Sequence, residues 1–290
     1  PMTARIAFQG EPGAYSHEAC RRARPEMEAL PCRTFEDTID AVRDGTADLA
    51  MLPVENSTYG RVADIHTLLP QSGLQIIEEH FVRVHINLLG VPGTTLDQGT
   101  HAMSHTVRLG QCRRFLSEHG IHRITGADTA GSAMAVAEAG DPATAALASE
   151  LAGEIYGREA LRSNIEDAAH TTTRFLILAR EPFEPDPAKG VVITSFVFYV
   201  RNVPAAVYKA LGGFATNGVN MTRLESFMID GKFTQAQFYA DIEGHPGDPD
   251  VKLAFEDLNH YSREVKILGS YYAHPFRHLE KAAVQDQPED

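Results

Sequence analysis

A stretch rich in proline and acidic residues divides the sequence into two parts with different hydrophobic patterns. Residues 181–190 read EPFEPDPAKG, with three prolines, three acids and one glycine. Proline breaks helices and cannot donate a hydrogen bond within a sheet, so this stretch continues neither element. We therefore predict an N-terminal region at 1–182, a linker at 183–190 and a C-terminal region at 191–275.

The N-terminal region alternates apolar, strand-like runs with amphipathic helices. The nearly continuous apolar run at 47–54 predicts a strand buried on both faces. Thr34, followed three residues later by Asp37, predicts a helix start, and Ser16 predicts the N-cap of a helix at 16–24. Further strands are predicted at 5–9, 76–89 and 143–148, and further helices at 62–69, 111–119, 132–139 and 151–161. This alternation is typical of an α/β fold with mostly parallel sheets.

The C-terminal region follows a different order of elements. Strands are predicted at 191–200, 219–229, 233–242 and 264–268, and helices at 204–217 and 249–261. Asp230-Gly231 is a hairpin turn signal between the second and third strands. The order βαββαβ is the ferredoxin-like plan. Its sheet leaves an open edge that a second copy of the chain would cover, and residues 276–290 are predicted to be a polar tail, frayed over 280–290.

The overall charge limits the partners of the chain. Hydrophobic residues make up 43% of the 290 residues, which is enough for a buried core. The formal net charge is -13, which argues against nucleic acid and anionic membranes as partners. An anionic substrate would therefore have to meet local cations such as Arg174.

Cysteine usage and hydropathy indicate a cytoplasmic protein. The three cysteines Cys20, Cys32 and Cys112 are odd in number and show no CxxC spacing, so we expect free thiols in a reducing compartment. No run approaches the ~18 apolar residues of a membrane span, and no signal-peptide pattern is present. The histidines show no HExxH-type spacing, so no metal site is expected.

Three loops carry the residue types of a binding site. The run Thr171-Thr172-Thr173-Arg174 precedes an apolar strand and suits either a small substrate with carboxylates or a plain threonine-rich strand entrance. Residues 54–58 end a buried strand, where α/β sheets bind ligands, or else form a simple turn. Residues 10–17 open a helix and are either an anion seat or an ordinary capped loop.

Segments in a fixed order resemble prephenate dehydratases over nearly the whole chain, roughly residues 7–272. They are AFQG at 7–10 with YSH at 15–17, DLAMLPVENS at 48–57, SH at 104–105 with QC at 111–112, IYG at 155–157 with NIED at 164–167, and TRF at 173–175. LES at 224–226 and LGSYY at 268–272 resemble the C-terminal ACT regulatory domain of that family. The resemblance implies a type II periplasmic-binding-protein-like catalytic domain followed by a ferredoxin-like ACT domain at 191–275. The catalytic domain would have two α/β subdomains. One is formed by residues of about 1–78 together with 171–182, and the other by residues 79–170.

The same resemblance implies a reaction. The family converts prephenate to phenylpyruvate, water and carbon dioxide in L-phenylalanine biosynthesis, which makes it a carbon–oxygen lyase that uses no metal or organic cofactor. Its members assemble as dimers or tetramers through their ACT domains, where L-phenylalanine binds and inhibits. Two alternatives stay open: arogenate dehydratase, and a non-catalytic regulatory protein that binds a small molecule.

The resemblance also implies residue roles. Thr173 assists the leaving hydroxyl, and Arg174 either clamps a carboxylate or orients its neighbours, with the carboxylate then held by Ser16, Ser104 and backbone N–H groups. Glu55 is either an acid or an orienting partner. The predicted catalytic residues are Thr173, Arg174, Glu55, Asn56, Ser104 and Gln111. The predicted substrate-binding residues are Tyr15, Ser16, Ser57, Thr172 and Phe175.

The effector site departs from the family pattern. The implied effector-binding residues are Ala206, Val207, Asn220, Leu224, Glu225 and Ser226. Ala205 stands where the family usually has glycine, and Phe227-Met228 stand where it usually has Arg-Pro. These departures predict that phenylalanine inhibits weakly or not at all.

Overall fold

The computed structural model describes residues 2–200, 203–229 and 231–285. Contacts divide the chain into two units, one of Pro1–Val62 and Phe81–Phe175, the other of Ala63–His80 and Leu176–Asp290. This division groups Ala63–His80 with the C-terminal part of the chain. The boundaries predicted from the sequence, at 182, 190 and 275, stay a prediction.

The elements of the N-terminal region are helices and strands in nearly regular alternation. They are β1 (Arg5–Gln9), α1 (Tyr15–Ala23), β2 (Glu28–Cys32), α2 (Phe35–Arg43), β3 (Leu49–Asn56), β4 (Gly60–Arg61), α3 (Ala63–Leu68), β5 (Gln75–Arg83), β6 (Asn87–Gly90), β7 (His101–Ser104), α4 (Thr106–Gln111), α5 (Arg113–Glu118), β8 (His122–Thr125), α6 (Thr129–Ala139), β9 (Thr144–Ala148), α7 (Glu150–Tyr156), β10 (Glu159–Arg162) and β11 (Thr172–Ala179). Short 3₁₀ turns lie at Leu69–Gln71 and Leu96–Gln98.

These strands form two mixed sheets. The first has the order β2-β1-β3-β11-β5, with β4 paired to β3, and β1 runs parallel to both β2 and β3. The second has the order β10-β6-β9-β7-β8, in which β7 is parallel to β8 and β9 while β6 is antiparallel to β9 and β10. The predicted α/β class is confirmed, but the sheets are mixed rather than mostly parallel.

Apolar runs form the cores, as the sequence pattern requires. Met51 and Leu52 on β3 are fully buried, which confirms the prediction for the run at 47–54. In the second sheet, Leu88 and Leu147 pack in one buried cluster with Leu116 of α5. The predicted cap of α2 is also confirmed, because the Thr34 side chain accepts from the Asp37 N–H.

The C-terminal elements are β12 (Val192–Val200), α8 (Ala206–Thr216), β13 (Met221–Ile229), β14 (Lys232–Glu243), α9 (Pro249–Tyr261), β15 (Ser262–Tyr272) and α10 (Phe276–Gln285). The four strands form an antiparallel sheet in the order β13-β14-β12-β15. Phe196 of β12 stacks on Phe214 of α8 and meets Phe255 of α9 edge-on, so both helices cover the same face. Within the predicted hairpin turn, Asp230 lies outside the described residues.

Several boundaries differ from the sequence predictions. Ser16 lies inside α1, whose N-cap is Ala14, so the predicted Ser16 cap is wrong. The strand predicted at 76–89 is two strands, since residues 84–86 leave the sheet and pair with other segments, Val84 N with Thr171 O and Ile165 N with Ile86 O. These bonds join segments distant in sequence, which no local pattern reveals.

Two predicted helices have different boundaries in the structure because of the backbone conformation at one residue in each region. The helix predicted at 111–119 corresponds to α5, and the preceding helix α4 was not predicted. The two helices meet at Cys112, a residue with φ -119°. The helix predicted at 151–161 ends at Gly157, whose φ of 63° closes α7 in the left-handed conformation that favours glycine. The chain then pairs with β6 as β10. Sequence patterns also missed the short strands β2, β7 and β8.

The predicted polar tail begins with a helix instead. Arg277 of α10 donates to Glu79 through Nε at 2.6 Å and Nη2 at 2.8 Å, and Glu79 is 1% exposed. This bidentate pair fixes the start of α10. Residues 286–290 lie outside the described ranges. No helix in the described part of the chain is long and apolar enough to cross a membrane.

Candidate active site

One hydrogen bond joins two of the predicted site loops. Asn56 ends β3 and Thr173 lies near the start of β11, the neighbouring strand of the first sheet. Asn56 Nδ2 donates to Thr173 Oγ1 at 3.1 Å, and Thr173 is 8% exposed. Among the described residues this is the only hydrogen bond of the Thr173 hydroxyl. Its own proton is therefore available to donate to a bound molecule.

The turn after β3 holds the Asn56 amide in one orientation. Asn56 Oδ1 accepts from the backbone N–H groups of Thr58 at 2.9 Å and Tyr59 at 3.1 Å. Because backbone N–H groups only donate, the amide oxygen faces the turn and Nδ2 faces Thr173. The sequence left a turn or a ligand site open at 54–58. The structure has the turn, and the turn aims the amide at Thr173.

The other two threonines of the run bond within the protein. Thr171 Oγ1 lies 2.8 Å from Thr58 Oγ1, and Thr172 Oγ1 donates to His170 O at 3.2 Å. Ser57 accepts from Thr172 N at its Oγ, 2.9 Å away, and its own N–H donates to Thr172 O. Ser57 and Thr172 thus hold two loops together. The partner of the Thr173 hydroxyl, Asn56 Nδ2, can only donate, so the Thr173 proton is uncommitted.

Arg174 is a buried charge with a carboxylate partner. Its side chain is 2% exposed, and Nη1 donates to Glu55 Oε1 at 3.2 Å. The Glu55 side chain is 33% exposed. A buried guanidinium needs such a partner, because removing it from water is costly. This pairing supports the orienting role for Arg174 and for Glu55.

A second cluster lies on α1 and α4. The Arg108 guanidinium stands 4.4 Å from the ring centre of Tyr15, and its Nη1 donates to Gln111 Oε1 at 2.7 Å. Tyr15 is fixed from its other end by a 2.7 Å hydrogen bond from Oη to His85 O. Burial raises the pKa of Tyr15 well above its usual value, so the phenol stays neutral beneath the cation.

The motifs did not single out Arg108, which contacts two of the predicted site residues, Tyr15 and Gln111. A signal was present in the sequence, since residues three apart on a helix share a face and Arg108 precedes Gln111 by three. Gln111 is 7% exposed, and its Nε2 has no hydrogen-bond partner among the described residues. Arg108, Tyr15 and Ser16 line one cleft of about 170 Å³, together with Gln9, Gly10, Ala14, His105, Asp128, Thr129 and Ala130.

Comparison with known proteins identifies the family. Residues 6–183 match the profile of the family described as prephenate dehydratase. The chain belongs to the prephenate dehydratase family. A bifunctional N-acyl-homoserine lactone acylase/prephenate dehydratase of Komagataeibacter europaeus is 52% identical over 272 residues, which are 94% of this chain and 97% of that protein. Arogenate dehydratase/prephenate dehydratase 1 of Arabidopsis thaliana is 37% identical over 92% of this chain and 71% of its own length.

Two solved structures are similar over almost the whole chain. One, described as GqqA, a novel type of quorum quenching acylases, has a TM-score of 0.88 and 51% identity over 94% of this chain and 99% of that one. The other is a prephenate dehydratase from Arthrobacter aurescens in complex with L-Phe. It has a TM-score of 0.84 and 28% identity over 98% of each chain.

The remaining predicted residues of this prephenate dehydratase family member have structural partners. Ser104 is fully buried, and its Oγ donates to Leu147 O at 2.8 Å. Phe175 is 1% exposed and lies in the core. The contacts therefore bring together Asn56 with Thr173, Glu55 with Arg174, and Tyr15 with Gln111 through Arg108. They do not bring the hydroxyl of Ser104 to any of these residues.

The predicted effector residues lie on α8, β13 and the turn between them. Ala206 is 7% exposed, whereas Val207 and Leu224 are 36% and 43% exposed. Glu225 and Ser226 follow Leu224 along β13, and Asn220, just before this strand, accepts from Glu243 N through its carbonyl. Ala205, at the N-cap of α8, has φ 59°, the left-handed region that favours glycine.

Burial controls the chemistry of the thiols. It raises the pKa of both Cys20 and Cys112 to about 12, so each stays a protonated thiol at neutral pH. Neither is therefore an activated nucleophile. Within residues 2–200, 203–229 and 231–285, no group of three or more His, Cys, Asp or Glu side chains is arranged to hold a metal ion.

Proposed function

We propose that the protein catalyses the decarboxylating dehydration of prephenate to phenylpyruvate in L-phenylalanine biosynthesis. The observation that carries the proposal is the Thr173 hydroxyl, buried, oriented by Asn56 and with its proton uncommitted. Family membership supports the reaction class, and the Asn56–Thr173 pair supplies a hydrogen-bond donor for the leaving hydroxyl.

The chemistry needs only assistance to a leaving group. The carbon–carbon bond to the ring carboxylate breaks, and its electron pair completes the aromatic ring. The ring C–O bond breaks at the same time, and the oxygen leaves with its pair and becomes water by taking a proton from solvent. No oxidant or reductant enters this balance.

Thr173 stabilises the charge that develops on the leaving oxygen. A threonine hydroxyl is too weak an acid to transfer its proton fully near pH 7. A preoriented donor in a site shielded from water still lowers the barrier by hydrogen bonding to the developing charge. The Arg174–Glu55 ion pair links the neighbouring strands β3 and β11 one residue away from Asn56 and Thr173.

Incubation with prephenate is the direct test. We expect phenylpyruvate and carbon dioxide in equal amounts. Arogenate, which carries an amine where prephenate has its keto group, is the nearest alternative substrate, and the name of the Arabidopsis relative includes both activities. A higher kcat/KM on arogenate would make the protein an arogenate dehydratase, and no turnover of either would leave the non-catalytic alternative.

A second candidate activity comes from the Komagataeibacter relative, whose name includes N-acyl-homoserine lactone acylase. Amide hydrolysis through an acyl-enzyme needs an activated protein nucleophile. The Ser104 hydroxyl donates to a backbone carbonyl, and the Cys20 and Cys112 thiols are protonated. The dehydratase reaction is therefore the better supported of the two. Incubation with an N-acyl-homoserine lactone, followed by mass spectrometry for the released fatty acid, tests the acylase.

We further propose the finer architecture that the resemblance implies. The two α/β sheets correspond to the subdomains of a type II periplasmic-binding-protein-like catalytic domain. The element order from β12 to β15 and the strand order β13-β14-β12-β15 support a ferredoxin-like ACT regulatory domain. Limited proteolysis should cut the chain first within 183–190 and leave the fragment that follows folded.

The edge of the third sheet supports assembly into a homodimer or homotetramer. β13 is an edge strand, and Leu224 and Met228 on it are 43% and 61% exposed, while Tyr208 on α8 is 81% exposed. A second copy would cover this apolar edge. Analytical ultracentrifugation tests the assembly, and a monomer at micromolar concentration would exclude it.

The effector and the compartment follow from the same reasoning. The Arthrobacter relative was solved with L-Phe. We propose that this chain binds phenylalanine weakly or not at all because of Ala205 and Phe227-Met228. Micromolar affinity for phenylalanine, measured by calorimetry, would contradict this.

The free cysteines Cys20, Cys32 and Cys112 support a reducing, cytoplasmic location, which cell fractionation tests.

A further inference from the structure

A dianionic substrate poses a charge problem for this protein. The chain carries a net charge of -13, so binding must rely on a local cation. Arg174 was the candidate from sequence, but its guanidinium is 2% exposed and already paired with Glu55. A second cation is therefore needed if the proposed function, on which this inference rests, is correct.

Arg108 has the geometry of that cation. Its contacts within the described residues are the ring of Tyr15 and Gln111 Oε1, and it has no ion pair with a carboxylate there. One Nη1 donor is used by Gln111, which leaves the other guanidinium donors for a ligand. The cation–π contact with Tyr15, itself fixed through His85 O, holds the guanidinium in place before a ligand arrives.

The surroundings of Arg108 supply further donors. Ser16 lines the same cleft from the first turn of α1, a nine-residue helix with no side-chain cap. The first backbone N–H groups of such a helix favour an anion. Asp128 also lines this cleft, but its Oδ1 accepts from Gly131 N and so caps α6.

We propose that Arg108 is a substrate-binding residue that holds the carboxylate retained in the product, the one on the three-carbon side chain. The ring carboxylate loses its charge as carbon dioxide forms. A cation bound to it would stabilise the reactant more than the transition state and slow the reaction. The side-chain carboxylate keeps its charge throughout, so binding it stabilises the substrate, the transition state and the product alike.

This assignment predicts how the kinetic constants divide. Loss of an interaction that is equal in substrate and transition state raises KM and leaves kcat unchanged. Arg108→Gln should therefore raise the KM for prephenate by about 10- to 100-fold, the loss typical of a charged hydrogen bond. The inhibition constant of phenylpyruvate should rise by the same factor. Arg108→Lys keeps the charge but not the planar stacking or the paired donors, so its effect should be smaller.

The experiment compares wild type, Arg108→Gln, Arg108→Lys and a control, Arg113→Gln. Arg113 is exposed on the next helix, so its variant makes the same change in net charge away from the cleft. For each protein, kcat and KM for prephenate are measured, with product inhibition by phenylpyruvate and prephenate binding by calorimetry. Circular dichroism and thermal melting confirm that each variant is folded.

The outcomes separate this inference from the proposed function. Parallel increases in KM and in the phenylpyruvate inhibition constant, confined to the Arg108 variants, support it. A raised KM with an unchanged phenylpyruvate constant would show that Arg108 meets the departing carboxylate and would overturn the assignment. Unchanged values in Arg108→Gln would overturn it while leaving the dehydratase intact. If the wild type gives no product, the binding of prephenate decides. Weaker binding to Arg108→Gln than to wild type still supports the inference, and equal affinity in the two proteins overturns it. No binding of prephenate to the wild type overturns both proposals.

Discussion

The direction of the hydrogen bond between Asn56 and Thr173 can be reversed by a single isosteric change. In the structure the Asn56 Nδ2 donates to Thr173 Oγ1 at 3.1 Å, which leaves the hydroxyl proton for the substrate. Asn56→Asp keeps an oxygen for the N–H groups of Thr58 and Tyr59, so the turn after β3 is preserved. Its second oxygen accepts from Thr173 instead, and the hydroxyl proton is then committed within the protein.

The expected effect is as large as deleting the hydroxyl itself. Removing one preorganised donor lowers kcat by about 100- to 1000-fold, so Thr173→Ala and Asn56→Asp should each fall in this range. The double variant should fall no further than either single variant, because both remove the same interaction. Thr173→Ser, which keeps the hydroxyl, serves as the matched control and should retain kcat within about tenfold, a smaller loss than that of a missing donor.

Steady-state formation of phenylpyruvate from prephenate gives kcat and KM for the four variants. The new carboxylate also repels the dianion, so Asn56→Asp should raise KM as well, and kcat must be compared at saturation. Wild-type kcat in Asn56→Asp would refute the role given to the Thr173 proton. Multiplying effects in the double variant would show that the two residues act independently.

Three further predictions concern stability. Glu55→Ala leaves Arg174 buried without this partner and should lower the free energy of unfolding, measured by urea titration, by about 3 kcal/mol. This value is at the low end of the range for a broken buried pair because Glu55 is a third exposed. Glu55→Gln keeps an acceptor oxygen and should lose less stability. Ala205→Gly relieves a left-handed φ of 59° and should raise the free energy of unfolding by about 1 kcal/mol. The control Ala215→Gly, inside α8, should lower it by a similar amount. Melting temperatures that shift in the same direction and by the same amount in both variants would contradict the strain at Ala205. Burial lowers the pKa of His17 below its usual 6.5. The neutral ring's contribution to stability is therefore present above pH 6.5 and is lost as the pH falls through the lowered pKa. Melting temperatures measured between about pH 7.5 and pH 5 should fall less steeply for His17→Asn than for wild type.

Elements with a strong local signal were predictable from the sequence. The run at 47–54 is apolar apart from Asp48, and its residues from Leu49 onward form most of β3, while the side chain of Thr34 caps α2. The separation of β5 from β6 was not predictable, since residues 84–86 leave the sheet to bond Thr171 and Ile165, some 80 positions away in sequence. Apolar content at 84–86 suits a strand equally well, so the partner decides the conformation.

The candidate site shows the same division between local and distant information. The motifs identified the loops at 54–58 and 171–175, because hydroxyl, amide and charged residues gathered at strand ends are unusual in a core. They left the role of Arg174 open, because its pairing with Glu55 spans 119 positions in the chain. The same limitation hid Arg108, whose importance depends on Tyr15, a residue on another helix.

Ala205 links the backbone of α8 to the proposed loss of phenylalanine binding. A residue with φ 59° at a helix N-cap without a side-chain cap is where a glycine fits without strain, and the family usually has glycine there. Ala205→Gly therefore tests two ideas at once. If the glycine variant is more stable and also binds phenylalanine by calorimetry, the alanine backbone and Cβ are the obstacle in the effector site. If it is more stable but still fails to bind, the obstacle lies with Phe227-Met228 on β13, and Ala205 is a strained residue whose effect on the effector is nil.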